Sequence, residues 1–165
     1  MKLNNPPRRH SVLFVCLGNI CRSPAADGIM HDIVARHGDE DLWDIDSAGI
    51  GAWHVGQLPD KRMRIHASRR GLTLDHIARR VCDDDFERFD LIIGMDSGNI
   101  SDLRELAPTP EALKKIQPMN RWMGGVVTNY DYIPDPYYEG AEGFELVLDL
   151  LQDACERLYE ELTRK

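Results

Sequence analysis

The chain has 165 residues, enough for one domain with a hydrophobic core, and 42% of them are hydrophobic. The formal net charge of −8 argues against general binding to nucleic acid or to an anionic membrane surface, so an anionic ligand would need a local positive site. No apolar run reaches the roughly 18 residues of a membrane-spanning helix, and membrane insertion is not expected.

The amino-terminal segment is predicted to be a flexible tail over residues 1–10, followed by one domain over residues 11–165. Its apolar part is about six residues long, too short for a secretory signal. Four cysteines without such a signal indicate reduced thiols and a cytoplasmic protein, although this argument leaves secretion without a signal peptide open.

Apolar runs and helical periodicity predict alternating strands and helices. In chain order these are a strand at 11–15, a helix at 24–37, a strand at 43–47, a helix at 59–70, a helical turn at 84–88, a strand at 89–96, a helix at 97–107, a weakly signalled strand at 115–119, and a long carboxy-terminal helix. This alternation predicts an α/β fold around a parallel sheet.

Capping residues mark the ends of the helices. Ser23 is predicted as the N-cap of the first helix and Pro24 as its first residue, with Gly38 as its stop. Gly71 ends the second helix, and Asp96 or Ser97 caps the helix after the third strand. The last helix has the clearest periodicity, and its apolar face comprises Phe144, Val147, Leu148, Leu151, Cys155, Leu158 and Leu162.

The segment between the first strand and the first helix has the composition of an anion site. Ligands of open parallel sheets bind beyond the carboxyl ends of the strands, which is where Cys16 lies. A chain that curls there into a helix aims several N–H groups inward, with Gly18 and Asn19 expected to adopt backbone angles that other residues resist. Arg22 adds a planar fork for phosphate oxygens. This positive environment should favour the thiolate of Cys16, a nucleophile suited to attack on phosphorus.

A carboxylic acid for the leaving group of a phosphate ester is available in Asp135. Prolines on both sides of it stiffen the loop, and Tyr137 and Tyr138 could line a pocket for an aromatic ring. Taken alone, Asp135 fits an ordinary Asp-Pro turn equally well. Taken alone, Cys16 and Cys21 would also fit as buried core residues, and they lack the second ligand pair of a zinc site. No metal or cofactor is predicted.

These motifs together resemble the low-molecular-weight protein tyrosine phosphatases, from about Ser11 to the carboxy terminus. The strings that carry the resemblance are VCLGNICRS, DSAG, WHVG, LDHIARR, FDLIIGMDSGN and DPYY. The match is loose between Lys115 and Asp135. The resemblance implies a single domain with a four-stranded parallel sheet, helices on both faces and a phosphate-binding loop after the first strand.

The resemblance also implies roles for particular residues. Cys16 would form a phosphocysteine, Arg22 would bind the phosphoryl group, and Asp135 would act as general acid and then as general base. The phosphate-binding loop would comprise Leu17, Gly18, Asn19, Ile20, Cys21 and Ser23. Ser23 would hydrogen-bond the Cys16 sulfur, and a supporting polar network would join Asn19 to Ser47 and His76. The pocket for the aryl group would be formed by Ile20, Trp53, Tyr137 and Tyr138. The substrate would be a phosphotyrosine-containing protein or peptide, and inorganic phosphate the product.

Other activities of this scaffold remain as alternatives. Arsenate reductases would need resolving cysteines after the third strand. Cys82 precedes that strand, and Cys155 lies on the apolar face of the last helix, where a core position is expected. Arginine phosphatases tend to carry threonine where Ile20 stands, and isoleucine favours a phenyl ring. A non-catalytic phosphotyrosine-binding module is the third alternative.

Cys21 could form a reversible disulfide with Cys16 under oxidation, although a role for Cys21 in packing alone is also consistent with the sequence.

Overall fold

The computed structural model describes residues 10–124 and 130–164. Its sheet has four parallel strands in the order β2-β1-β3-β4. The strands are β1 His10–Cys16, β2 Trp43–Gly49, β3 Leu91–Gly94 and β4 Ile116–Pro118. The predicted tail over residues 1–9 lies outside the described residues, but His10 belongs to β1, where it is paired with Trp43, and not to the tail.

Six helices accompany the strands in the described parts of the chain. They are α1 Arg22–Arg36, α2 Lys61–Ser68, α3 Asp83–Arg88, α4 Ser97–Leu106, α5 Pro110–Lys114 and α6 Ala141–Thr163, with short 3₁₀ turns at Glu40–Leu42 and Met119–Trp122. None of these helices, within the residues described, is long and apolar enough to cross a membrane.

Helices cover both faces of the sheet, which confirms the predicted architecture. β1 lies between β2 and β3, and its side chains alternate between two buried clusters. Val12 and Phe14 pack on one face with residues of α1 and α6, while Leu13 and Val15 pack on the other with residues of α3 and α4. Of the apolar face predicted for α6, Leu162 is only partly buried and the rest is in the core.

The helices differ from the prediction at several places. α1 and α2 end one and two residues early, at Arg36 and Ser68, and α3 begins one residue early, at Asp83. α1 begins at Arg22 with Cys21 in the N-cap position, so Ser23 is not the cap, because its hydroxyl is turned toward Cys16 instead. α2 begins at Lys61 and not at residue 59, since the side chain of Asp60 caps it. The short helix α5 was not predicted, because five residues carry no periodic signal, although Thr109 caps it in the usual way.

The strand order places a crevice at the carboxyl end of β1. The chain leaves β1 toward β2 on one side and reaches β3 on the other, so the connections diverge above this strand. Such a switch point is where open α/β sheets bind their ligands. Cys16 ends β1 at this edge of the sheet, Ser47 lies near the end of β2, and Asp96 lies two residues after β3.

Candidate active site

The loop between β1 and α1 curls around the start of the helix. Its carbonyl groups are held from outside: Cys16 accepts from the N–H of Ile50 at 3.0 Å, and Leu17 from that of Gly51 at 2.9 Å. Ile20 accepts from the N–H of Asp60 at 2.8 Å. Because these carbonyl groups are bound on the outer side of the loop, the N–H groups of the loop are expected to point to its inner side. This is the arrangement of an anion-binding nest.

Asn19 and Gly18 differ in the reason for their presence in this loop. Asn19 has a φ of +59°, in the left-handed region, as its residue type predicted. Gly18 does not have a positive φ, so the prediction of an unusual backbone angle was wrong there. A Cβ at Gly18 would lie 3.0 Å from Cδ2 of His54, and close packing of that ring explains the glycine.

Cys16 lies at the base of a cavity of about 420 Å³ and is 3% exposed. Its Sγ is 3.0 Å from Oγ of Ser23 and accepts from the Ser23 N–H at 3.4 Å. The Ser23 hydroxyl already accepts from Asn19 at 2.8 Å, and its proton can be donated to the sulfur or to the Ala48 carbonyl, which is farther away at 3.5 Å. Because Ser23 lies in the first turn of α1, hydrogen bonds and the helix dipole both favour negative charge on the sulfur.

Asn19 is the centre of a polar network behind the loop. Its Nδ2 donates to Oγ of Ser23 and, at 3.1 Å, to Oγ of Ser47. Its Oδ1 accepts from the N–H of Arg79 at 3.0 Å and lies 3.0 Å from Nε2 of His76. A backbone N–H can only donate, so the amide orientation is fixed and Nε2 of His76 must carry a proton. Two elements beyond the loop, β2 and the segment before α3, thus support its conformation.

Arg22 is buried beside the sulfur and is held by two acceptors. Its Nη1 donates to Oδ2 of Asp96 at 2.6 Å and to the carbonyl of Ile133 at 2.9 Å. Burial alone would lower the pKa of Arg22, but the negative charges of Cys16, Asp96 and Asp135 outweigh it and raise that pKa. The guanidinium is therefore a permanent positive charge in a fixed orientation.

Asp96 was predicted only as a helix cap, and its hydrogen bond to Arg22 was not predicted. Asp96 does cap α4, since its Oδ1 accepts from the N–H of Asn99 at 2.8 Å. Its other oxygen holds Arg22. The second role of Asp96 could have been predicted from its position just after β3, at the same edge of the sheet as Cys16.

Asp135 lies at the side of the cavity, with 44% of its side chain exposed. Its Oδ1 accepts from the N–H of Tyr137 at 3.1 Å, and its Oδ2 lies 3.8 Å from Nη2 of Arg22. Asp135 and Cys16 line the same cavity, so this carboxyl group is a candidate proton donor.

The rim of the cavity combines apolar and aromatic side chains. Ile20, Trp53, Tyr137 and Tyr138 line it as the sequence analysis expected, and so does His54, which that analysis did not single out. Trp53 is 68% and Tyr138 91% exposed, so both side chains border the cavity from its solvent-exposed side. Rings that are exposed beside a cavity are available to a ligand.

Cys21 shares the loop with Cys16, and both thiols are free. Burial, followed by the negative charges of Asp60 and Cys16, raises the pKa of Cys21. Its thiol is therefore protonated at neutral pH.

Comparison with known proteins agrees with this geometry. Residues 11–165 match the profile of the family described as low molecular weight phosphotyrosine protein phosphatase. The chain is 41% identical over 157 residues to the low molecular weight protein-tyrosine-phosphatase YfkJ of Bacillus subtilis, covering 94% of this chain and 97% of that one.

Two solved structures extend the comparison. A protein tyrosine phosphatase from Entamoeba histolytica with Hepes in its active site superposes with a TM-score of 0.88 at 41% identity, covering 93% of this chain and 96% of the other. A Drosophila arginine phosphatase superposes with a TM-score of 0.86 at 34% identity, covering 93% and 98%. Since the match extends over the whole domain, the chain belongs to the low molecular weight phosphotyrosine protein phosphatase family and is a hydrolase.

Proposed function

We propose that this enzyme hydrolyses phosphotyrosine in proteins or peptides through a phosphocysteine formed on Cys16. The observation that carries the proposal is the convergence of a nucleophilic sulfur, a buried guanidinium and a carboxyl group on one cavity. These are the attacking, charge-binding and proton-donating groups that transfer of a phosphoryl group to sulfur requires.

In the first step the phosphoryl group enters the loop between Cys16 and Arg22. Loop N–H groups and the guanidinium bind its oxygens and neutralise the charge that spreads over them in the transition state. The Cys16 thiolate attacks phosphorus in line with the departing ester oxygen. The S–P bond forms, the P–O bond breaks, and the carboxyl proton of Asp135 passes to the leaving phenolate oxygen.

In the second step water replaces the sulfur on phosphorus. The Asp135 carboxylate, now without its proton, accepts one from the attacking water, and inorganic phosphate forms. The thiolate is the leaving group, and the hydroxyl and N–H of Ser23 stabilise its charge as the S–P bond breaks. Ser23 thus assists departure of the sulfur as well as its attack.

The cavity rim favours an aromatic substrate. Ile20 presents an apolar side chain beside Cys16, and Trp53 and Tyr137 offer ring faces. Phosphoarginine is the second candidate, because one similar structure is that of an arginine phosphatase. Ile20 provides no hydrogen bond to a guanidinium group, which argues against it.

A comparison of substrates tests this assignment. We expect kcat/KM for a phosphotyrosine peptide to exceed that for a matched phosphoarginine peptide by about 100-fold or more, since the guanidinium group of phosphoarginine would lack hydrogen-bond partners at the apolar rim. We expect no thiol-dependent reduction of arsenate. Turnover should be unaffected by EDTA. Equal or greater turnover of the phosphoarginine peptide would contradict the proposed substrate.

We further propose that Cys21 protects Cys16 from irreversible oxidation. Peroxide oxidises the Cys16 thiolate to a sulfenic acid and is itself reduced to water. The Cys21 sulfur then displaces the hydroxyl group, which leaves as water with the thiol proton, and an S–S bond forms. Because the pKa of Cys21 is raised, this second step is expected to be slower at neutral pH than at alkaline pH.

Replacement of Cys21 by serine tests the protective role. After a pulse of peroxide, the natural enzyme should regain most of its activity with dithiothreitol, whereas Cys21→Ser should regain at most about a tenth, because oxidation beyond the sulfenic acid is irreversible. Cys82→Ser, an exposed thiol, is the matched control and should recover like the natural enzyme. Equal recovery of Cys21→Ser would exclude the disulfide.

A further inference from the structure

Arg62 lies at the start of α2, and none of the roles proposed above uses it. Its guanidinium reaches two segments that approach the cavity from different parts of the chain. Nε and Nη2 donate to the two carboxylate oxygens of Asp60 at 3.1 and 2.9 Å. Nη2 also donates to the backbone carbonyl of Tyr137 at 3.0 Å.

The first of these segments is tied to the phosphate loop. The N–H of Asp60 donates to the carbonyl of Ile20, the residue before Cys21 in the loop. The Asp60 side chain also caps α2 by accepting from the N–H of Arg62 at 2.8 Å. Burial alone would raise the pKa of Asp60, but its hydrogen bonds with Arg62 outweigh that effect and lower it. Asp60 is therefore ionised, and its pairing with Arg62 is maintained.

The second segment carries the general acid. The N–H of Tyr137 donates to Oδ1 of Asp135, so the carboxyl group is fixed directly to the residue that Arg62 holds. On the upstream side, Ile133 is anchored by its N–H to the carbonyl of Met95 at 2.9 Å and by its own carbonyl to Arg22. Within the described residues, Arg62 makes the corresponding downstream hydrogen bond to segment 134–139.

The guanidinium also lies against two aromatic rings. Its Cζ lies 4.8 Å from the centre of the Phe144 ring and 5.4 Å from that of Tyr137. Phe144 is 1% exposed and forms part of the core. Cation–π contact with a buried ring adds to the hydrogen bonds that hold the guanidinium in place.

We propose that Arg62 is a positioning residue for the general acid, because it fixes the Tyr137 carbonyl, and with it Asp135, relative to the phosphate loop. Asp135 thereby keeps its place at the leaving oxygen during reaction. The prolines at 134 and 136 stiffen the acid segment internally, but they do not fix its orientation toward Cys16. This inference rests on the proposed function, since positioning matters only if Asp135 donates a proton.

The test compares two aryl phosphates that share a ring but differ in leaving group. Phenyl phosphate needs a proton on its departing oxygen, and p-nitrophenyl phosphate needs much less help. We expect Arg62→Gln to lower kcat/KM for phenyl phosphate by about tenfold and for p-nitrophenyl phosphate by less than about threefold, because a displaced acid loses only part of its effect. Arg62→Lys, with one donor group, should fall between Arg62→Gln and the natural enzyme.

Arg36→Gln is the matched control, since Arg36 is also an exposed arginine paired with two carboxylates, Asp32 and Glu156. It should leave the ratio of the two substrates unchanged. Equal losses on both substrates in Arg62→Gln would reduce Arg62 to a structural role and overturn the inference. Should Arg62→Gln fail to fold, Arg62→Lys decides, and an unchanged ratio in that variant would count against positioning.

The variant Asp135→Asn separates this inference from the proposed function. If Asp135→Asn shows a selective loss on phenyl phosphate and Arg62→Gln does not, only the positioning role is wrong. If Asp135→Asn itself shows no selectivity between the two substrates, the acid role fails, and the proposed mechanism fails with it.

Discussion

Replacing Cys16 by serine is expected to lower kcat for aryl phosphates by roughly 10⁴-fold or more, the scale seen when a covalent nucleophile is removed. A hydroxyl group is far harder to ionise than a thiol, and the donors around Cys16 do not compensate for that difference. The hydroxyl and N–H of Ser23 that favour a sulfur anion would instead solvate a neutral hydroxyl group. Attack on phosphorus should therefore cease while the loop remains intact.

The measurement pairs turnover with binding. Cys16→Ser should retain binding of inorganic phosphate by calorimetry, since Arg22 and the loop N–H groups are unchanged. Cys82→Ser, at an exposed cysteine outside the site, should keep natural turnover. In the natural enzyme, phosphate should protect Cys16 from alkylation. A Cys16→Ser enzyme that retains more than about a tenth of its turnover would show that another group is the nucleophile.

The sequence predicted the fold, and it placed Cys16 and Arg22 in one loop, because both features have local signals. Buried apolar runs marked the four strands, and even the weak run before Pro118 forms β4. Cys16 and Arg22 were identified because a thiol and a guanidinium flank a strand-to-helix junction, and the phosphate loop holds them within one short stretch. Local sequence was sufficient where the geometry is local.

The residues that the sequence did not reveal act over long separations. Asp96 contacts Arg22 across 74 positions, and Arg62 contacts Tyr137 across 75. Each also has an ordinary local explanation, a helix cap for Asp96 and an exposed helical charge for Arg62. A residue whose local role is already explained gives no reason to expect a second, distant partner. The distant partners of Asp96 and Arg62 follow only from the way β3, α2 and the segment around Asp135 pack together.

In the proposed mechanism, the same packing would let one cavity serve both halves of the reaction. The Asn19 network and Ser23 fix the sulfur from the side of β2, whereas Asp96 and Ile133 fix the guanidinium from the side of β3. The groups proposed for attack and for charge stabilisation are therefore held by different elements of the fold. The segment that carries Asp135 is attached through hydrogen bonds of Ile133 and Tyr137, so we expect its position to be sensitive to mutation.

Asp135→Asn is expected to lower kcat/KM for phenyl phosphate by about 10² to 10³-fold, within the range for loss of a general acid. For p-nitrophenyl phosphate the loss should be less than about tenfold, because its leaving group departs without a proton. Asp131→Asn changes an exposed carboxyl group four positions earlier in the same segment and should leave both substrates unaffected.

A measurement of phosphate binding tests whether the loss of kcat/KM in Asp135→Asn is due only to the changed charge. Asp135 lies 3.8 Å from Arg22, so removing its negative charge lowers the repulsion of an anion bound there and should tighten inhibition by inorganic phosphate. An enzyme that binds the anion more tightly yet cleaves phenyl phosphate more slowly has lost proton transfer and not substrate affinity. If instead the affinity for phosphate and kcat/KM fall together, and equally for both esters, Asp135 supports the shape of the cavity, and the proton must come from another donor.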